Sequence, residues 1–126
     1  MAKQPTVYIL EDDPAVRDSL AALVKSMQLP SECFGSADEF LSVYDSSLRG
    51  CLILDIRLPG MSGIELQEEL VDRGSQLPII MVTGHGDAAL KERAISLGAV
   101  EFVEKPYYPH FLRETIRKAI EGFSDP

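Results

Sequence analysis

Cys51-Leu52-Ile53-Leu54-Asp55 decides the fold: four apolar residues in unbroken succession, closed by a carboxylate. A strand with one face in water alternates apolar and polar residues, whereas a run apolar at every position suits a strand covered on both faces. The same pattern recurs to either side, in Val7-Tyr8-Ile9-Leu10, Ile79-Ile80-Met81-Val82 and the shorter Phe102-Val103. A weaker, alternating candidate runs from Ser31 to Phe34. The stretches between them have helical spacing and readable ends. Asp13 is a good N-cap with Pro14 at the first helical position, and Val16, Leu20, Leu23, Val24 and Met27 follow on one stripe. Ser36 with Glu39, and Ser62 with Glu65, have the spacing of capping boxes. Gly98 would stop a fourth helix after Ala94, Ile95 and Leu97. A last helix carries Leu112, Ile116, Ala119, Ile120 and Phe123.

Strands alternating with helices in this way call for a parallel sheet with helices on both faces. Right-handed crossovers leave few topologies, among them the flavodoxin-like order 2-1-3-4-5. The expected fold is therefore α/β, a doubly wound (βα)5 unit around a five-stranded parallel sheet. It should occupy residues 1–122, with 123–126 a tail or the start of a linker.

A chain of 126 residues is one domain by size and can bury a core without staples. Its net charge of −8 repels a phosphate backbone, which argues against direct nucleic-acid binding by this segment. No apolar run reaches the roughly 18–20 residues that span a bilayer, and Met1-Ala2-Lys3-Gln4-Pro5 has no apolar signal core, so a cytoplasmic location is the default. Cys33 and Cys51 share no metal-ligand spacing and read as two buried, reduced cysteines.

In a doubly wound sheet, ligands bind beyond the carboxyl ends of the strands. Glu11, Asp12 and Asp13 follow the first strand, Asp55 ends the third, Thr83 ends the fourth, and Lys105 follows the fifth. Carboxylates, a hydroxyl and an ammonium thus converge on one edge. Clustered carboxylates repel one another unless a cation neutralises them. Oxygen donors without histidine or thiolate suit Mg2+ or Mn2+ rather than zinc. A carboxylate beside such a metal can attack phosphorus, and the phosphoryl oxygens then need a hydroxyl and a lysine. Taken singly these residues have plainer readings: Asp13 a helix cap, Thr83 a strand residue, Lys105 a solvated charge, His85 a surface histidine, Tyr107 and Tyr108 packing. Those readings do not explain why Asp12, Asp55, Thr83 and Lys105 share one edge.

At these residues the sequence resembles the receiver family of two-component response regulators, over essentially its whole length. Glu11-Asp12, Asp55, Thr83 and Lys105-Pro106 fall in family order, and Leu58-Pro59-Gly60-Met61-Ser62-Gly63 is similar to the loop after the family's phosphoacceptor. Val82-Thr83-Gly84-His85-Gly86-Asp87 is similar to the nitrogen-fixation and nitrate regulator subfamily. The resemblance implies that Asp55 accepts a phosphoryl group from a sensor histidine kinase. It implies direct Mg2+ ligation by Asp12, Asp55 and the backbone carbonyl of Arg57, with Glu11 acting through a water. Thr83 and Lys105 would grip the phosphoryl oxygens, Thr83 and Phe102 would act as the switch, and Lys105-Pro106 would be a cis peptide. The readout face would be the fourth helix, fifth strand and fifth helix. A DNA-binding output domain downstream, control of transcription and a phosphorylation-driven homodimer are implied partners and outcomes. On this reading the domain is a phosphoacceptor that assists its own phosphotransfer and dephosphorylation rather than an enzyme.

Glu11 stands where aspartate is frequent, Phe102 lacks the hydroxyl of a switch tyrosine, and Tyr108 replaces a polar N-cap. Arg57 and His85 take the variable positions that line the phosphoryl pocket. Two other functions compete. A Mg2+-dependent aspartyl-phosphate phosphohydrolase could use the same chemistry, but Asp55-Ile56-Arg57 lacks the second aspartate of such enzymes and the chain leaves no room for a cap domain. A degenerate receiver is disfavoured by the intact set of Asp12, Asp55, Thr83 and Lys105.

Overall fold

The structure is a computed structural model and describes residues 4–84 and 88–124, the side chains only as far as 122. Ten elements alternate: β1 (Thr6–Leu10), α1 (Pro14–Ser26), β2 (Ser31–Phe34), α2 (Ala37–Val43), β3 (Gly50–Asp55), α3 (Gly63–Asp72), β4 (Ile79–Thr83), α4 (Ala88–Ser96), β5 (Glu101–Glu104) and α5 (Pro109–Ser124). The strands form one sheet in the order β2-β1-β3-β4-β5, every pair parallel, as expected from the alternation. The helix α5 includes residues 123 and 124, which the sequence reading had assigned to a tail.

The continuous apolar runs divide their side chains alternately between the two faces. Tyr8, Leu10, Leu52, Leu54, Met81 and Phe102 join α2, α3 and α4 residues such as Phe40, Leu66 and Ala94 in one core layer. Val7, Ile9, Cys51, Ile53, Val82 and Val103 join Leu20 and Val24 of α1 and Leu112 and Ile116 of α5 in the other. All six residues of β3 are buried, because it is the central strand with neighbours on both sides. At its start, Gly50 has φ +131° and a Cβ there would lie 1.8 Å from the Thr6 carbonyl oxygen, so only glycine fits between β1 and β3.

Two local expectations need correction. Cys51 is buried but Cys33 is exposed, because β2 is a four-residue edge strand paired only with β1. Ser62 and Glu65 form the full capping box, whereas at Ser36 only half of it exists. There the Ser36 hydroxyl accepts from Glu39 N–H at 3.2 Å, but the Glu39 carboxylate takes the N–H of Gly35 instead. Asp13 caps α1 as expected, accepting from Ala15 N–H at 2.9 Å. Gly98, at φ +104°, ends α4 with its N–H on the Ile95 carbonyl and that of Ala99 on the Ala94 carbonyl.

Candidate functional site

The sheet register carries the chemistry-bearing residues to one edge. Leu10 lies beside Leu54, Asp55 beside Val82, and Thr83 beside Glu104, so β3 ends one residue beyond β1 and β4 one residue beyond β3, and their ends line one edge. Glu11 follows β1, Asp55 and Thr83 are the last residues of β3 and β4, and Lys105 follows β5. Asp55 is 6% exposed, Glu11 3% and Thr83 1%, while Asp12 lies in solvent.

Buried carboxylates are costly unless paired and hydrogen-bonded. Lys105 supplies the pairing: its Nζ lies 3.2 Å from Asp55 Oδ2 and 3.5 Å from Glu11 Oε2. The other Asp55 oxygen, Oδ1, accepts the backbone N–H of Arg57 at 2.9 Å. The remaining Glu11 oxygen accepts the Asp13 N–H at 3.3 Å. The Lys105 N–H donates to the Thr83 carbonyl at 2.7 Å, tying the lysine's backbone to the end of β4. The Lys105-Pro106 peptide is cis, as the resemblance implied.

The crowding shows in the titration of these groups. Burial, then the hydrogen bond and negative charge of Asp55, push the Glu11 carboxyl up to about 7, against the pull of Lys105. Burial alone would lower Lys105, but the charges of Asp55 and Glu11 outweigh it and its ammonium is held above the usual range. Glu11, Asp12 and Asp55 each bring one carboxylate oxygen within 4.8 Å of the others, and among the described residues no histidine or cysteine belongs to the group. That donor set fits a hard divalent cation, which would also offset the repulsion that raises Glu11.

Not every expected residue joins the cluster. Asp13 is spent as the α1 cap. The Arg57 side chain is exposed, and only its backbone N–H is seen to touch Asp55. Phe102 is 7% exposed and packs within the core layer of α3 and α4, so its core role is certain from the packing. Tyr107 packs against the α1 and α5 layer as read, but Tyr108 is 81% exposed and is not a packing residue. Its carbonyl takes the Leu112 N–H at 3.1 Å at the start of α5, while its side chain points to solvent. His85 lies outside the described residues.

Two supporting residues escaped the sequence reading. Gly63 opens α3 directly under the site: a Cβ there would fall 2.5 Å from the Asp55 carbonyl oxygen, and its N–H donates to the Ile56 carbonyl at 2.8 Å. Arg17 reaches back from α1 to the Glu11 carbonyl, Nη1 donating at 3.1 Å. The first is a tertiary close approach with no local signal. The second had one, since a cation in the first turn of a helix has the wrong sign for the helix dipole.

Residues 7–117 match the family model of the response regulator receiver domain. The response regulator protein TodT of Pseudomonas putida is 47% identical over 115 residues, covering 91% of this chain and 51% of that protein. The transcriptional regulatory protein FixJ of Azorhizobium caulinodans is 44% identical over 107 residues, covering 85% of this chain and 51% of its own length. The chain thus spans about half the length of the curated relatives it matches. Among solved structures, FixJ-N superposes with a TM-score of 0.87 at 36% identity, over 98% of this chain and 99% of that one. The response regulator StyR gives 0.91 at 39% identity, over 97% of this chain and 62% of that one. Sheet order, the buried acidic edge and these relatives agree: the chain belongs to the response regulator receiver family and is the receiver domain of a two-component response regulator.

Proposed function

We propose that Asp55 is the phosphoacceptor and that its phosphorylation shifts α4, so that the new state is read on the face formed by α4, β5 and α5. The observation that carries this reading is the Asp55 carboxylate itself. It is buried at the strand edge, one oxygen lies on Lys105 Nζ at 3.2 Å, and Glu11 and Asp12 crowd the same point. Asp12, Asp55 and the Arg57 carbonyl would hold Mg2+, with Glu11 acting through a water; Mn2+ suits the same donors. When bound, the ion supplies charge neutralisation to the phosphoryl oxygens.

The residues of the chain do the rest. A carboxylate oxygen of Asp55 attacks the phosphorus of a phosphohistidine on a sensor kinase. The new O–P bond forms as the N–P bond breaks, and the imidazole leaves with the electron pair and takes up a proton. Lys105, already held at Asp55, compensates the added negative charge, and the Thr83 hydroxyl takes one phosphoryl oxygen. Drawing Thr83 toward that oxygen moves the end of β4 and the start of α4, and Phe102 repacks against the displaced segment. The switch then rests on packing, since Phe102 has no hydroxyl. A downstream DNA-binding domain, a cytoplasmic setting and a homodimer formed on phosphorylation complete the reading. The relatives' greater length supports the output domain. The domain assists its own phosphorylation and dephosphorylation but turns over no separate substrate.

Intact mass after incubation with acetyl phosphate tests this. The expected result is a Mg2+-dependent gain of one phosphoryl group that Asp55→Asn abolishes. An adduct that persists in Asp55→Asn, or steady hydrolysis of many phosphoesters, would overturn it; the latter would favour the phosphohydrolase.

A further inference from the structure

Arg17 is oddly placed for a surface arginine. It sits in the first turn of α1, its N–H on the Asp13 carbonyl at 2.9 Å, where the partial positive charge of the helix end disfavours a cation. The first turn itself carries no acidic side chain, and the negative charge at this end is the Asp13 cap. The guanidinium is nonetheless folded back and half-buried. Its Nη1 donates to the Glu11 carbonyl at 3.1 Å and lies so close to the β2–α2 turn that a Cβ on Gly35 would meet it at 3.3 Å.

What this contact holds becomes plain from the peptides around Asp12. The Glu11 carbonyl belongs to the peptide that enters Asp12, and Arg17 fixes it. The Asp13 N–H belongs to the peptide that leaves Asp12, and Glu11 Oε1 fixes it at 3.3 Å. The peptide before Glu11 is anchored too, its N–H on the Phe34 carbonyl at 3.1 Å. Asp12 itself is exposed, so no burial of its side chain holds it in place. The anchored groups around it are the two flanking peptides.

We infer that Arg17 is a positioning residue of the metal site, holding the Glu11–Asp12 peptide so that the exposed Asp12 carboxylate stays within reach of Asp55. The inference rests on the reading of Asp12 as a metal ligand. It has a consequence opposite in sign to simple electrostatics. Removing a nearby positive charge should strengthen cation binding at an acidic cluster, whereas loosening a ligand should weaken it. Positioning outweighs charge here, because the guanidinium bonds the backbone of the ligand loop rather than a ligand carboxylate.

Mg2+ titration followed by the amide resonances of Asp12, Asp13 and Asp55 separates the two, on wild type, Arg17→Ala, Arg17→Gln and Arg17→Lys. Arg17→Ala should bind Mg2+ about tenfold more weakly, in the range seen when groups that support metal ligands are removed. Arg17→Gln, which keeps a donor without the charge, should recover part of the loss, and metal-free Arg17→Ala should show lower backbone order parameters at Asp12. Unchanged or tighter Mg2+ binding in Arg17→Ala, with unaltered order at Asp12, would overturn the inference. Should wild type itself bind no Mg2+, the ligand assignment fails, and the order parameters still decide whether Arg17 holds the loop.

Discussion

The two helices that flank β5 are held in different ways. α5 buries Leu112, Ile116 and Ala119, with Thr115 beside them, against the face formed by Val82 and Val103. α4 buries one residue, Ala94, with Leu90 half-buried, and leaves Ile95 46% exposed. Much of what holds α4 is polar: Gln67 Nε2 donates to the Ala94 carbonyl at 2.8 Å, and Glu68 pairs with Arg93 at the surface. An exposed pair of that kind contributes little. Buried apolar area is what resists local opening, so α5 belongs to the stable frame and α4 to the part that can move. The difference suits a switch, because α4 is the helix that follows Thr83 at the acidic edge.

Truncation of apolar side chains should break the comparison most visibly. Ile116→Ala in α5 removes a fully buried side chain and is expected to cost about 2–5 kcal/mol. Ile95→Ala in α4 should stay within about 0.5 kcal/mol. Urea unfolding of the two variants checks this, and equal losses would erase the distinction between the helices.

A smaller effect belongs to the edge from which α4 departs. The fold raises Glu11 from 4.5 to about 7, so it favours the protonated carboxyl. That contribution is fully present below the ordinary value and is lost as pH rises through about 7. Without Mg2+, the thermal midpoint should therefore carry a component that falls across this window. Glu11→Gln should flatten it, and Mg2+ should raise the midpoint most at its upper end. A pH profile identical in wild type and Glu11→Gln would show that the burial of Glu11 carries no such cost.

The smallest effect concerns Gln67, fully buried with its Oε1 lacking a hydrogen-bond partner among the described residues. Gln67→Met keeps the volume, removes the orphan oxygen and gives up the bond to Ala94. Global stability should change by less than about 1.5 kcal/mol. Amide exchange in α4 should quicken while that in α5 holds. Equal acceleration of both would show that the amide is not a specific tether of α4.

These contrasts also show what could be read from the chain. Strand positions were legible because Val7–Leu10, Cys51–Leu54 and Ile79–Val82 are apolar without a break, as suits a sheet covered on both faces, and sheet order because right-handed crossovers leave few topologies for alternating strands and helices. The site was legible because Asp55 and Thr83 terminate such runs and Glu11 and Lys105 follow them. Cys33 was misread as a core strand residue although its strand, Ser31-Glu32-Cys33-Phe34, is a partly polar edge, and Tyr108 because it follows the packed Tyr107 while its own place in the fold is a rim. Gly50 and Gly63 answer to backbones far away in sequence, and Gln67 bonds a carbonyl 27 residues on, so local pattern gave no access to them. The half-formed box at Ser36 failed for a smaller reason: the Glu39 carboxylate bonds the Gly35 N–H rather than that of Ser36.

The most direct test of the switch is amide hydrogen exchange with beryllofluoride, a phosphoryl mimic, bound at Asp55 in the presence of Mg2+. The account expects altered protection at the end of β4, through α4 and at Phe102, with the core of α5 unchanged. Beryllofluoride bound at Asp55 with α4 unaltered, or with α5 changed as much as α4, would contradict it.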